Sequence, residues 1–403
     1  PESIMCLTYT KTAAAEMQNR LLKTLSDWAL MPEGKLQAEL GLLLKEPFLE
    51  EDMQTARRLF ARVLEARGGL KIHTIHGFCE RLLQRFPLEA TVTPNFTVLD
   101  ETSATRARNE AFDAVAMKAV AAPNSPLGQA LSTVVALTSE DQFRLVVGEI
   151  LAKRAELARI VRRHAELGQA TDWPRAEAET LKTFFDVAEK DEAALIAEQA
   201  SILSDAQIDA ALAALADLAS TKTDKGVVET LRRARRLAGP GRTALFKTLF
   251  LTQRGDPRTR IVTKGIVNAA PEITARLDEA KIDFARIETD LAHLRVVEAT
   301  GAVFTFADAV QTAYDVEKRR EAALDYDDLI VKTLDLLSRS NAAAWVLYKI
   351  DGGVDHILVD EAQDTNPEQW SIVEALAEEF FAGAGARAQP RTLFAVGDEK
   401  QSI

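Results

Sequence analysis

The chain has 403 residues, a formal charge of −12, and 47% hydrophobic against 27% charged residues. That length exceeds one ordinary core, so at least two packed units are expected from a composition of globular type. No apolar run approaches the roughly 20 residues that span a bilayer, no signal peptide pattern opens the chain, and Cys6 and Cys79 lack the paired spacing of a zinc or disulfide framework. The expectation is a cytoplasmic protein with reduced thiols and no membrane partner.

The first apolar run, Ser3 to Thr8, breaks at Thr8-Tyr9-Thr10 and gives way to the helix formers Ala13 to Met17. Strand, loop and helix in that order form the unit of an α/β sheet. Leu70 to Thr74 reads as a second strand, leading into a helix that begins near His76 or Gly77. From about Thr102 to about Lys332 the pattern is one of successive amphipathic helices, broken at Pro123-Asn124-Ser125-Pro126, Asp172-Trp173-Pro174 and Gly239-Pro240-Gly241. Arg260-Ile261-Val262 is the one candidate strand in that stretch. Two late runs, Ile357 to Val359 and Leu393 to Val396, lack the alternation of a half-exposed strand, so both suit a parallel sheet covered on two faces. The predicted fold is therefore α/β, with a large all-helical insertion dividing the sheet domain.

The densest chemistry lies in Ile357-Leu358-Val359-Asp360-Glu361-Ala362-Gln363-Asp364. An apolar strand here delivers two adjacent carboxylates to its carboxyl end, where parallel α/β sheets bind ligands. Phosphoryl transfer to water uses such a pair, one carboxylate for Mg²⁺ and one to orient and deprotonate the water. Two acids after a strand can also simply complement the dipole of a following helix.

Asp360-Glu361-Ala362-Gln363-Asp364 resembles the Walker B sequence of superfamily 1 helicases of the UvrD, RecB and AddA kind. Four further segments resemble motifs of that family in the same order. Leu7 to Ala14 is similar to motif Ia and Thr74-Ile75-His76-Gly77-Phe78 to motif Ib. Leu324-Asp325-Tyr326-Asp327-Asp328-Leu329-Ile330 is similar to the stretch that returns to the first motor domain, and Val396 to Ile403 to motif III. The resemblance implies a RecA-like P-loop NTPase domain, incomplete here, built from residues 1–100 and 321–403, with the helical insertion at 101–320.

It also implies roles. ATP and Mg²⁺ would be the cofactors, with Asp360 on the metal, Glu361 as the base on water and Gln401 sensing the γ-phosphate. Tyr9 would stack on a base of single-stranded DNA, and Thr8, Thr10, Thr74 and His76 would reach phosphate or sugar oxygens. Simpler readings stay open: Tyr9 as a half-buried sheet-end aromatic, His76 as a helix-start residue, Thr74 as an N-cap, and Asp327 and Asp328 as caps or ion-pair partners of a helix Leu329–Leu337.

The sequence also departs from the family. Motif Ia reads Thr10-Lys11-Thr12, Tyr9 replaces the commoner Phe, and no Gly-x-x-x-x-Gly-Lys-Ser/Thr phosphate loop occurs. The chain is accordingly expected to be a fragment, without ATPase activity by itself. The alternative is a catalytically inactive helicase-like module that binds DNA or a partner.

The separation of 283 positions between Gly77 and Asp360 favours the RecB and AddA branch. That branch implies double-strand break repair and recombination, 3′-to-5′ movement, an AddB-type partner, and a carboxyl-terminal nuclease, no part of which lies in this sequence. Within the insertion, Lys222 to Lys264 carries twelve Lys/Arg against three Asp/Glu, a local charge of +9 that leaves −21 on the rest. Arg232, Arg233, Arg235 and Arg236 are either a solvated helix face or a contact to duplex DNA, whose backbone is bound by cations without regard to sequence.

Overall fold

A computed structural model describes residues 2–44, 50–66, 69–168, 172–338, 340–351, 354–381, 391–398 and 400. The chain divides into two compact units, 1–110 with 314–403, and 111–313. In chain order the elements are β1 (Ile4–Thr8), α1 (Lys11–Leu30), α2 (Glu33–Leu44), α3 (Glu50–Leu64), β2 (Lys71–Thr74), α4 (Ile75–Arg85), β3 (Thr97–Val98) and α5 (Glu101–Ala121). The second unit continues with α6 (Pro126–Val135), α7 (Glu140–Ala152), α8 (Arg154–Glu166), α9 (Trp173–Phe184), α10 (Glu192–Ala200), α11 (Asp205–Leu215), α12 (Lys222–Arg236), α13 (Gly239–Phe250), α14 (Lys264–Ala269) and the 50-residue α15 (Pro271–Arg320). The chain then forms β4 (Ala323–Leu324), α16 (Tyr326–Ser338), α17 (Ser340–Asp351), β5 (His356–Val359), α18 (Pro367–Phe381) and β6 (Thr392–Ala395).

The first unit is built on a four-stranded sheet of order β2-β1-β5-β6, every pair parallel. Met5 and Leu7 of β1, with Ile357 and Val359 of β5, point to one face, as the two-residue period of a strand requires. There they pack with Phe78, Leu82 and Leu83 of α4, Leu329 and Leu336 of α16, and Ile372 and Val373 of α18. A satellite core of Leu25, Trp28, Leu36, Leu40, Ala56 and Val63 holds α1, α2 and α3 together. Arg57 donates to the carbonyls of Ala29 and Met31 at the end of α1, satisfying acceptors that the helix itself leaves open.

A second, two-stranded parallel ladder joins β3 to β4, which the sequence did not signal. It is secured by a buried polar cluster. Asp325 and Asp328 exchange backbone-to-carboxylate hydrogen bonds of 2.8 and 3.1 Å at the start of α16. Asp325 also accepts from the Tyr314 hydroxyl at 2.9 Å, and the Lys318 ammonium lies on both carboxylates. The helix thus starts at Tyr326 rather than Leu329, with Asp328 in the capping and ion-pairing role expected of it.

The second unit is helical. Its main core gathers Leu231 and Ala234 of α12, Phe246 and Phe250 of α13, and Phe284 of α15. Phe112, Phe143 and Phe306 form a further aromatic trio, with centroids 4.8–5.6 Å apart. Arg260-Ile261-Val262 is not a strand. Ile261 and Val262 are buried in a loop pinned by Asp224, which accepts from the Thr263 backbone N–H at 2.9 Å and from its hydroxyl at 2.8 Å. Those bonds tie the loop to the first turn of α12 and leave its backbone no partner strand. Among the described residues, no helix is long and apolar enough to cross a membrane.

Candidate functional site

Parallel alignment brings the carboxyl ends of β1, β2, β5 and β6 to one edge of the sheet, with Thr8 opposite Thr74 and Val359 between Leu7 and Ala395. The residues that follow each strand therefore meet there, although the two early groups lie far from the two late ones in the chain: Tyr9 and Thr10, Ile75 and His76, Asp360 and Glu361, and Val396 to Asp398. Ligands of open α/β sheets bind at this kind of edge.

The carboxylate pair sits in a tight backbone frame. The Asp360 N–H donates to the Leu7 carbonyl at 2.9 Å and Asp360 is half-buried. Glu361 is exposed and adopts a left-handed conformation, φ 53° and ψ 47°, ahead of a short 3-10 turn over Ala362–Asp364. A non-glycine residue held there costs about 1–3 kcal/mol, which surrounding bonds must offset. They do so from two sides. The Ala362 N–H donates to the Val396 carbonyl at 2.9 Å, and the Gln363 side chain bridges the two strand ends. Its amide donates to the Glu361 carboxylate, and its carbonyl accepts from the Asp398 N–H at 3.0 Å.

Gly397 permits that bridge. A Cβ at this position would stand 2.8 Å from Gln363 Oε1 and 3.1 Å from the Gln363 backbone nitrogen. Gln363 and Gly397 each fall inside a motif-like segment of the sequence, but nothing in either segment pairs them, because their contact joins two separate strand ends. Asn366 then opens α18, exchanging hydrogen bonds with Gln369 before Pro367.

Among the described residues no group of three or more His, Cys, Asp or Glu forms a metal cage. Mg²⁺ is ordinarily held by one or two carboxylates together with phosphate oxygens and water, so the Asp360 carboxylate at the sheet edge fits that donor chemistry. Its charge reaches Cys6: burial first, and then the Asp360 carboxylate, raise the thiol above its ordinary value. Gln401 lies outside the described residues.

The DNA-facing candidates divide. Tyr9 is 45% exposed at the end of β1. Thr10 is exposed but caps α1, its hydroxyl accepting from the Ala13 N–H at 3.0 Å. Thr74 is buried and caps α4 in the same way through Gly77 at 3.0 Å, which moves the helix start to Ile75. Thr8 does not offer the exposed hydroxyl that a phosphate contact was expected to use, because it is 1% exposed and its oxygen is buried without a hydrogen-bond partner among the described residues. His76 is half-buried, edge-on to Tyr326 with centroids 5.2 Å apart, and burial holds its imidazole below its ordinary value.

In the second unit, Val227, Val228, Leu231 and Ala234 bury one face of α12 and turn the four arginines outward. Arg235 is neutralised by Asp205 and Asp209 at 3.1 and 2.9 Å, and Arg232 approaches Glu229 at 3.8 Å. Arg233 and Arg236, three residues apart and exposed, form no ion pair among the described residues.

A parallel sheet with an acidic pair at its carboxyl edge and a helical unit inserted between its strands defines an α/β protein of the helicase-domain type. The UvrD/REP helicase N-terminal domain family matches residues 1–403, and the chain belongs to that family. Over its full length the chain is 26% identical to an ATP-dependent helicase/nuclease subunit of Lactiplantibacillus plantarum, the match covering 32% of that protein. It is 38% identical over 94 residues to the ATP-dependent DNA helicase PcrA of Leuconostoc citreum, 23% of this chain and 11% of the relative. It is 35% identical over 98 residues to the RecBCD enzyme subunit RecB of Mycolicibacterium smegmatis, 24% of this chain and 8% of the relative. The chain therefore spans about a third of the helicase/nuclease relative that it matches from end to end.

Proposed function

We propose that this chain is part of an ATP-dependent DNA translocase and helicase, with residues 1–100 and 321–403 forming motor-domain segments and 101–320 an insertion. Support comes from one observation above the others: four parallel strands deliver an acidic pair, a glycine-backed amide bridge and an exposed aromatic to the same edge. Asp360 would hold Mg²⁺, which when bound neutralises charge on the transferred phosphoryl group. Glu361 would take the proton of the attacking water, its carboxylate oriented by Gln363. The γ-phosphate would be read through the segment that includes Asp398 and Gln401, since Gln363 links that segment to the base. Tyr9 would stack on single-stranded DNA without regard to sequence.

The end-to-end likeness to a helicase/nuclease protein favours the AddA branch, and with it double-strand break processing, 3′-to-5′ movement, an AddB-type partner and a nuclease elsewhere in the protein. The test is Glu361→Gln in the intact gene product. That change keeps shape and hydrogen-bonding reach but removes the base, so DNA-stimulated ATP hydrolysis falls by roughly 10² or more while ATP and DNA still bind. A variant that unwinds DNA at the normal rate would remove Glu361 from the mechanism.

A further inference from the structure

On the α4 side of the sheet, away from the carboxyl edge, lies a cavity of about 230 Å³. Lys71 and His73 of β2, and Arg81 and Arg85 of α4, line its polar side, and Met5 and Phe78 contribute to its apolar floor. Lys71 stands three residues before Thr74, so the cavity sits roughly 10 Å back from the edge that carries Asp360 and Glu361. Arg81 and Arg85 are one helical turn apart, which puts two guanidinium groups over one mouth. Both are exposed, and neither forms an ion pair among the described residues.

The basic lining is held together by burial and by one hydrogen bond, in which Arg81 donates to His73 Nε2. Burial first, then the Arg81 and Lys71 charges, hold His73 below its ordinary value, and His73 Nε2 lies 3.3 Å from an Arg81 nitrogen. Burial also lowers Lys71, with Arg85 adding to the effect and the Glu2 and Asp355 carboxylates opposing it. Neither acid is within ion-pair distance of Arg81 or Arg85 among the described residues. An anion seated between the arginines would take charge-assisted hydrogen bonds from guanidinium donors that no carboxylate occupies.

We propose that this cavity binds a phosphate monoester, its phosphoryl oxygens held by Arg81 and Arg85 and its first carbons on the Met5 and Phe78 floor. The volume lies below the roughly 300–1,000 Å³ of sites for drug-sized ligands, which argues for a terminal phosphoryl group and against a whole nucleoside triphosphate. A free phosphate ester and the phosphorylated end of a DNA strand share this chemistry.

Calorimetric titration of the intact gene product with inorganic phosphate and with methyl phosphate tests the site. Saturable binding is expected, weakened roughly tenfold or more in Arg81→Gln/Arg85→Gln and partially in Arg85→Gln alone. Both side chains face solvent, so an unchanged thermal midpoint should accompany the loss. Oligonucleotides with a 5′-phosphate, a 3′-phosphate or neither separate the sources. Preferential binding of one phosphorylated end, erased by the double variant, assigns a strand end; equal binding of all three beside tight methyl phosphate assigns a free ester. Absence of saturable phosphate binding, or equal affinity in the wild type and a folded double variant, overturns the proposal.

Discussion

At Gly397 a single hydrogen decides whether two strand ends communicate. Gly397→Ala puts a methyl group 2.8 Å from Gln363 Oε1, so the amide must leave the Asp398 N–H and release its hold on Glu361. The expected outcome is reduced kcat for DNA-stimulated ATP hydrolysis with little change in thermal midpoint, because the residue is exposed and outside the core. Equal kcat in the variant and wild type would mean that the bridge does not position the base.

Cys79 gives a residue-scale prediction of a different kind. Burial pushes its thiol from 9.0 up to about 12, so the native protein should resist thiol alkylation at this position at pH 8. A raised acid favours the folded state below the unfolded value and loses that advantage as pH climbs through the folded one. Stability should therefore decline between about pH 9 and 12, and denaturant midpoints measured at pH 8 and 10 check the sign. A higher midpoint at pH 10 would contradict it.

At the scale of elements, local bonds fix where helices begin. Thr74→Ala removes the cap of α4 and should cost about 1 kcal/mol, while Thr74→Ser, which keeps the oxygen, should cost much less. Chemical denaturation of the three proteins separates the cap from any direct part in DNA binding. The start of α16 is more strongly determined. Lys318 is 4% exposed between Asp325 and Asp328, so Lys318→Met strands carboxylates that have lost their counter-charge. Breaking a buried pair by removing one partner costs roughly 3–5 kcal/mol, and a midpoint shift near zero would show the cluster to be dispensable.

At the scale of the whole molecule the balance of −12 hides a basic helix face, and ion pairs decide which of its charges are available. With Arg235 held by Asp205 and Asp209, the available cations on α12 are chiefly Arg233 and Arg236. If they grip duplex phosphates, Arg233→Gln/Arg236→Gln should reduce the magnitude of the slope of log affinity against log salt by about 0.9 per lost contact, equally for unrelated sequences. Arg235→Gln should leave that slope nearly unchanged. An unaltered slope in the double variant would return this face to plain solvation.

The sequence by itself determined the parallel α/β class, the helical interruption and the family, because apolar runs, helix periodicity and five ordered motifs are properties of neighbouring residues. The placing of Asp360, Glu361 and Tyr9 just past the ends of their strands was legible for the same reason. Only the tertiary structure decided what those motif residues touch. Thr8 reads as an available hydroxyl in the sequence but is buried in the fold, and the Thr74 oxygen accepts from the Gly77 N–H as a helix cap. The Gln363 bridge, the β3–β4 ladder and the basic cavity behind α4 join positions far apart in the chain. Contacts of that kind depend on which strand lies beside which, and on which helix covers them, and no local pattern of residues encodes either.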